Sequence, residues 1–178
     1  MTLHVKRVAS PVGQLTLVGG DAGLRAVLFA GEAAPADAVE RPHPVLDEAA
    51  RQLGEWFAGE RTAFDVPLDL AGATAFQRRA WLALAAIPYG TTRSYGEQAR
   101  TLGVPRAARA VGAANGRNPL SIVLPCHRLV GADGSLTGFS GGLDVKRALL
   151  AHEAASAAGG AAAGTSRTRT SRAPRRRT

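Results

Sequence analysis

The chain holds one cysteine among 178 residues, Cys126, and its neighbours are unusual for a structural thiol. A lone cysteine is ordinarily a small buried hydrophobe. Here Pro125 fixes the backbone before the sulfur, and His127 and Arg128 follow it directly. Basic side chains beside a thiol favour the thiolate, the nucleophilic form. Three chemistries compete for such a segment. A cysteine hydrolase needs cysteine, histidine and an orienting third group brought together in space. Neighbours on an extended strand point to opposite faces, so His127 would reach Cys126 only through a water or a local bend. A thiolate-rich zinc centre is excluded by the single cysteine, and the other histidines, His4, His43 and His152, stand in uninformative settings. A single-use nucleophile asks for less: a thiolate, a base or proton relay, and a pocket.

The elements around this segment read as two units. Leu3–Ala9, Gln14–Val18 and Leu24–Phe29, separated by Gly-containing turns, predict an antiparallel meander. Pro44 suits the first position of a helix, and Leu46, Ala49, Ala50, Leu53, Trp56 and Phe57 recur at helical spacing up to Gly59. Phe64, Val66, Leu68 and Leu70 alternate with smaller or polar residues, which predicts an edge strand carrying Pro67. Residues 1–70 thus read as a small α+β unit without evident chemistry. From Thr74, a cap, a second helix is expected over Ala75 to about Ile87. Ser94-Tyr95-Gly96-Glu97 has capping-box form, and a further helix is expected from Val104-Pro105 to Asn115. Two short helices joined by a tight turn resemble a helix-turn-helix. The second is lined with alanine and glycine and bears Arg106 and Arg109. Gly131–Ser135 has the composition of a hairpin turn, and a last amphipathic helix spans Asp144 to about Glu153, with Val145, Leu149 and Leu150 inward. Residues 71–153 form the second unit. Residues 154–178 are Ala, Gly, Ser, Thr and Arg without apolar periodicity, and read as a disordered basic tail.

Charge separates the same regions. Residues 1–70 carry −4, residues 71–153 carry +6 and residues 154–178 carry +6, within a total of +8. A polyanion such as nucleic acid is the natural partner of the basic part. No apolar run reaches the roughly 18 residues of a membrane helix, no signal-peptide pattern opens the chain, and one cysteine suits a reducing cytosol. A cytoplasmic monomer that does not meet a membrane is the expectation.

Pro125-Cys126-His127-Arg128 resembles the active-site signature of the O6-alkylguanine-DNA alkyltransferases. Arg106–Gly112, Ala114-Asn115-Gly116, Asn118-Pro119, Gly134–Gly142 and Leu149–Glu153 fall in that family's order and spacing. The resemblance is strong over 74–153 and general over 1–70. It implies an RNase H-like N-terminal domain followed by a winged-helix-like, helix-turn-helix domain. It also implies direct, irreversible transfer of an alkyl group from O6-alkylguanine in double-stranded DNA to Cys126, without a cofactor or metal; O4-methylthymine is a further candidate substrate. Glu153 would orient His127, which would take the thiol proton through water. Asn118 would tie the preceding turn to the cysteine backbone, and Tyr95 would press on a phosphate and donate a proton to the leaving O6. Ala107, Ala108, Gly112, Arg109 and Arg128 would meet DNA, with Arg109 replacing the extruded base. Cys126, Tyr95, Leu129, Phe139 and Ser140 would form the pocket, and the carbonyls of Cys126 and Leu129 would accept from the guanine amino group. The family often has tyrosine in place of Phe139 and proline in place of Ser121, so substrate range is the property most open to change. The runner-up is a non-catalytic lesion binder of the same fold, against which Cys126 itself argues. A plain helix-turn-helix regulator would explain the charge and not the cysteine segment.

Overall fold

A computed structural model describes residues 2–164. Three antiparallel strands, β1 (His4–Ser10), β2 (Gly13–Gly20) and β3 (Gly23–Leu28), form a meander in the order β1-β2-β3. Leu15 and Leu17 alternate onto its buried face, as the period of two requires. The alternation then breaks: the register shifts between Val18 and Gly19, and Val18, Gly19 and Gly20 are all buried. Gly19 has no room for a side chain, because a Cβ there would lie 2.7 Å from the Gly23 carbonyl oxygen. Helix α1 (Pro44–Phe57) starts at a His43 cap and packs Leu46, Ala49, Leu53 and Trp56 on the sheet.

The expected strand over 64–70 does not form. Leu24 N–H donates to the Pro67 carbonyl and Asp69 N–H to that of Leu24, each at 2.8 Å, and Leu68 makes one isolated parallel bridge to Leu24. Pro67 has no N–H with which to continue a ladder. Asp69, expected outward, is buried and pairs with Arg25 at 2.8 Å.

Thr74 closes a capping box on α2 (Ala75–Leu82). This helix is shorter than its periodicity suggests. A 3-10 turn covers Ala83–Ala86, and Ile87 is extended because Pro88 disfavours a helical predecessor. Ser94 caps α3 (Tyr95–Thr101) through the box with Glu97. Pro105 does not begin the next helix. Val104–Ala107 make a turn in which Ala107 N–H bonds the Val104 carbonyl at 2.8 Å, and α4 runs Ala108–Asn115. Arg106 therefore lies off that helix, and Ala107 caps it without a side-chain acceptor. Strands β4 (Arg93–Ser94) and β5 (Leu129–Val130) pair in parallel, which sets the start of α3 beside the cysteine segment. Gly131–Ser135 closes as a turn but joins no hairpin strands.

Helix α5 (Leu143–Gly164) continues past Glu153 into the stretch expected to be unfolded. Alanine supplies helix propensity there, and Ser156 and Ala157 pack against Gly59 and Gly90, where a Cβ would meet them at 3.2 and 3.0 Å. The rest of the expected tail, 165–178, lies outside the described residues.

Sheet, α1 and the cysteine segment share one core containing Leu15, Leu24, Val27, Trp56, Leu120, Ile122 and Cys126. Val27 N–H donates to the Pro119 carbonyl at 2.8 Å, so β3 holds the turn that leads to Cys126. Every residue from Leu120 to Val130 is buried.

Candidate active site

The cysteine segment is not a strand. Cys126–Arg128 form a 3-10 turn that follows Pro125, and the Leu129 N–H returns to the Cys126 carbonyl. The bend turns His127 inward, fully buried, while Cys126 keeps 8 % of its surface exposed. Asn118 braces the approach: its side-chain amide donates to the Leu124 carbonyl at 2.8 Å and its carbonyl oxygen accepts the Leu120 N–H at 3.0 Å. Asn118 thus reaches the backbone two residues before the cysteine. Between these anchors Ile122 has φ 73° with its side chain buried. A β-branched residue adopts that conformation only when its surroundings enforce it.

Glu153 comes from α5 and is fully buried behind the turn. His127 Nε2 lies 2.8 Å from Glu153 Oε1, Arg128 donates to the same carboxylate from Nε at 3.0 Å and from Nη2 at 2.8 Å, and Gly90 N–H donates to Oε2 at 2.9 Å. Burial alone would raise this carboxyl, but the hydrogen bonds from His127 and Arg128 outweigh it and lower it to about 2. An ionised carboxylate only accepts, so Nε2 carries the proton of a neutral imidazole and Nδ1 keeps a lone pair. That Nδ1 is buried and has no protein partner among the described residues. Burial also holds the His127 imidazolium below its ordinary range, with Glu153 opposing. The ring is therefore neutral and able to take a proton. Burial pushes the Cys126 thiol up, while Asn118, Ser121 and the charge of Lys146 pull the other way. At rest the sulfur is a thiol that needs a base.

A cavity of about 630 Å³ opens over the sulfur. Tyr95, Ala108, Arg109, Gly112, Cys126, Phe139 and Ser140 line it, which brings together most of the residues expected from the sequence. Ala107 does not line it. Two expectations fail. Leu129 is fully buried in β5, paired with Arg93, and does not line the cavity. Arg128 is not a surface cation for DNA: it is 5 % exposed, bonds Glu153 and the Ile87 carbonyl, and lies 5.6 Å from the Tyr89 ring centroid. A buried guanidinium needs such partners, and they leave none of its reach for phosphate. Several contributors were not anticipated. Asn115, Gly116, Thr137 and Gly138 also line the cavity. Ser121, which the sequence marked as a departure bearing on substrate range, places its Oγ 3.9 Å from the sulfur and 3.5 Å from Ser140 Oγ. Lys146, one of two lysines in the chain, is fully buried on α5. Its spacing from Leu149 and Glu153 puts it on the same helical face, a signal available from the sequence.

Two family profiles match in tandem. That of the 6-O-methylguanine DNA methyltransferase ribonuclease-like domain covers residues 3–70, and that of the DNA binding domain of the same family covers 75–155. The chain is 53% identical over 154 residues to a methylated-DNA--protein-cysteine methyltransferase of Mycolicibacterium paratuberculosis, spanning 85% of this chain and 92% of that protein. It is 48% identical over 144 residues to the like-named protein of Methanosarcina acetivorans, spanning 79% and 92%. Among solved structures, Mycobacterium tuberculosis OGT in complex with DNA superposes with a TM-score of 0.80 at 49% identity, covering 86% of this chain and 94% of that one. The tandem profiles and the near full-length identity, resting on the fold and the cysteine site just described, establish that this chain belongs to the 6-O-methylguanine DNA methyltransferase family.

Proposed function

We propose that the protein repairs DNA by moving the alkyl group of O6-alkylguanine onto Cys126, once per molecule. The observation that carries this reading is a solitary thiol at the floor of a base-sized cavity, backed by a neutral His127 whose other nitrogen is held by Glu153. His127 Nδ1 accepts the thiol proton through a water. The sulfur attacks the alkyl carbon, an S–C bond forms and the C–O6 bond breaks. The electron pair stays with guanine, which takes a proton from the Tyr95 hydroxyl. His127 returns its proton to Tyr95 through solvent, so protons balance and no cofactor is consumed. The thioether is stable, and the chain has no second cysteine to reset it.

DNA lies against α4. Ala108 and Gly112 let the helix approach closely, and Arg109, exposed at the cavity rim, fills the space of the flipped nucleotide. Arg106 stands in the turn before α4 and serves phosphate contacts instead. The protein acts as a monomer in the reducing cytoplasm. Among the described residues, no helix is long and apolar enough to cross a membrane.

The test is intact-mass measurement after incubation with duplex DNA containing O6-methylguanine. One methyl group in place of the thiol hydrogen is expected, on the Cys126 peptide, and Cys126→Ala binds the same DNA unmodified. Tight binding by the unaltered protein with no mass change would replace this reading with non-catalytic lesion binding.

A further inference from the structure

Ser121 holds a buried hydroxyl against the reacting atom. It lies in the turn Leu120–Leu124, which the Leu124 N–H closes on the Leu120 carbonyl at 2.8 Å and in which Ile122 takes its φ of 73°. The Cys126 N–H bonds the Leu124 carbonyl, also at 2.8 Å, so both side chains are fixed in one frame. Ser121 Oγ lies 3.9 Å from Cys126 Sγ and 3.5 Å from Ser140 Oγ, and among the described residues neither hydroxyl has another partner. Ser140 and Cys126 line the same cavity. The charged and titratable groups about the sulfur are His127 next in the chain, Lys146 on α5, and Tyr95 and Arg109 along the cavity.

At rest either atom of the Ser121–Cys126 contact can donate. Once His127 has taken the thiol proton, the sulfur can only accept, and the hydroxyl must turn its proton towards it. Ser121 has one proton to give, so the contact with Ser140 is then satisfied by Ser140 donating to Ser121. We infer that Ser121 donates to the Cys126 thiolate and Ser140 donates to Ser121, a chain of two hydroxyls that stabilises the nucleophile before it attacks. A hydrogen bond to an ionised acceptor is shorter and stronger than one to a neutral group, so the 3.9 Å contact tightens as the thiolate forms. It slackens in the product, because the charge leaves the sulfur as the S–C bond forms. Proline, frequent in the family at this position, would bring no hydroxyl. Burial raises the Cys126 thiol, and Asn118 and Ser121 oppose it; Asn118 does so with an amide already given to the Leu124 carbonyl. Ser121 touches the reacting atom, whereas Ser140 acts through Ser121 and is a positioning residue.

This inference rests on the proposed transfer reaction, and its test separates the two. The ultraviolet absorbance of the thiolate, read against Cys126→Ala, and Cys126 alkylation by iodoacetamide are followed against pH without DNA. Single-turnover methyl transfer from an O6-methylguanine duplex is followed at neutral pH. Ser121→Ala removes the hydroxyl and little volume. Its thiolate midpoint is expected to move up by about one pH unit, which cuts the thiolate fraction below the midpoint about tenfold. A more basic thiolate is a better nucleophile by about threefold per unit, so alkylation and transfer at neutral pH are expected to fall about threefold. Ser140→Ala is expected to move the midpoint in the same direction and by less. A folded Ser121→Ala with the parent midpoint overturns the proposal whatever its transfer rate, because a hydroxyl that only shapes the cavity leaves the titration of the thiol in place. Should that variant fail to fold, Ser140→Ala with the parent midpoint overturns it. Failure of the unaltered protein to transfer methyl would refute the reaction itself, whereas the midpoint shift would still report the action of Ser121 on the thiol.

Discussion

Glu153 receives hydrogen bonds from three residues while fully buried, and these bonds make it a structural as well as a chemical centre. The direction of its shift fixes how stability follows pH. Its carboxyl is held below the unfolded value, so its pairings stabilise the fold above about 4.5 and are lost as pH falls towards about 2. His127 is also held below its ordinary 6.5, so the unfolded chain takes up that proton first. Both contributions rise with pH, and acid unfolding begins near 6.5 and deepens below 4.5. Glu153→Gln keeps the shape, removes the charge and leaves Arg128 buried without a counter-ion. A loss of about 3–5 kcal/mol is expected in urea unfolding at pH 7, with a flatter dependence of Tm on pH below 4.5. An unchanged unfolding midpoint would show that Arg128 finds another partner.

At the scale of elements, α4 gives up stability to keep a smooth face. Gly112 lies mid-helix, and a Cβ there would meet the Tyr95 ring at 3.7 Å, an ordinary contact. Gly112→Ala should therefore fold and gain about 0.5–1 kcal/mol, read as a higher Tm. Gly112→Leu should fill the cavity mouth and slow transfer from duplex DNA at least tenfold, by analogy with the 1 Å misplacements that cost active sites comparable rates. Equal transfer by the leucine variant would mean that α4 does not approach the lesion. The opposite wall is built by close approach as well. A Cβ on Gly141 would stand 2.9 Å from the Phe29 ring, and Phe29 packs against Phe139 with centroids 5.4 Å apart. The second glycine of the Ser140-Gly141-Gly142 run ends at φ 87°, which turns the chain into α5.

Across the whole molecule, the N-terminal unit buttresses the chemistry. Trp56 sets its ring edge-on to His127, with centroids 6.1 Å apart and planes at 78°, and its carbonyl accepts from His152 Nε2 at 2.9 Å. The acidic first unit thus packs behind His127, while the basic second unit carries the cavity. The charge outside the described residues can be tested for non-specific attraction to DNA. Six arginines and no acidic residue lie beyond Gly164, and removing 165–178 lowers the net charge from +8 to +2. The truncated protein should bind DNA more weakly at low salt and show a shallower dependence of log K on log salt. Methyl transfer at saturating DNA should be unchanged. A large loss of affinity persisting at high salt would indicate a specific contact.

The sequence by itself determined the local elements and the reacting atom. Strand alternation, the Thr74 and Ser94 caps and the helical spacing of α1 report short-range preferences, and each is written within a few residues. The solitary cysteine between proline and histidine is equally local, and family resemblance extended it to Tyr95, Asn118, Arg109 and Glu153. Tertiary structure decided what depends on partners far along the chain. Arg128 points inward because Glu153, 25 residues on, awaits it. Leu129 is a strand residue because Arg93 pairs with it, and 64–70 is not a strand because Pro67 cannot extend the ladder on β3. Lys146 shares a helical face with Leu149 and Glu153, but only the fold sets its ammonium on the Thr137 carbonyl and beside the Tyr95 ring. Helix α5 outruns its apolar pattern because Gly59 and Gly90 leave room for Ser156 and Ala157. Periodicity records which residues favour burial; it does not say which charges a folded core will pair, and that pairing sets the chemistry around Cys126.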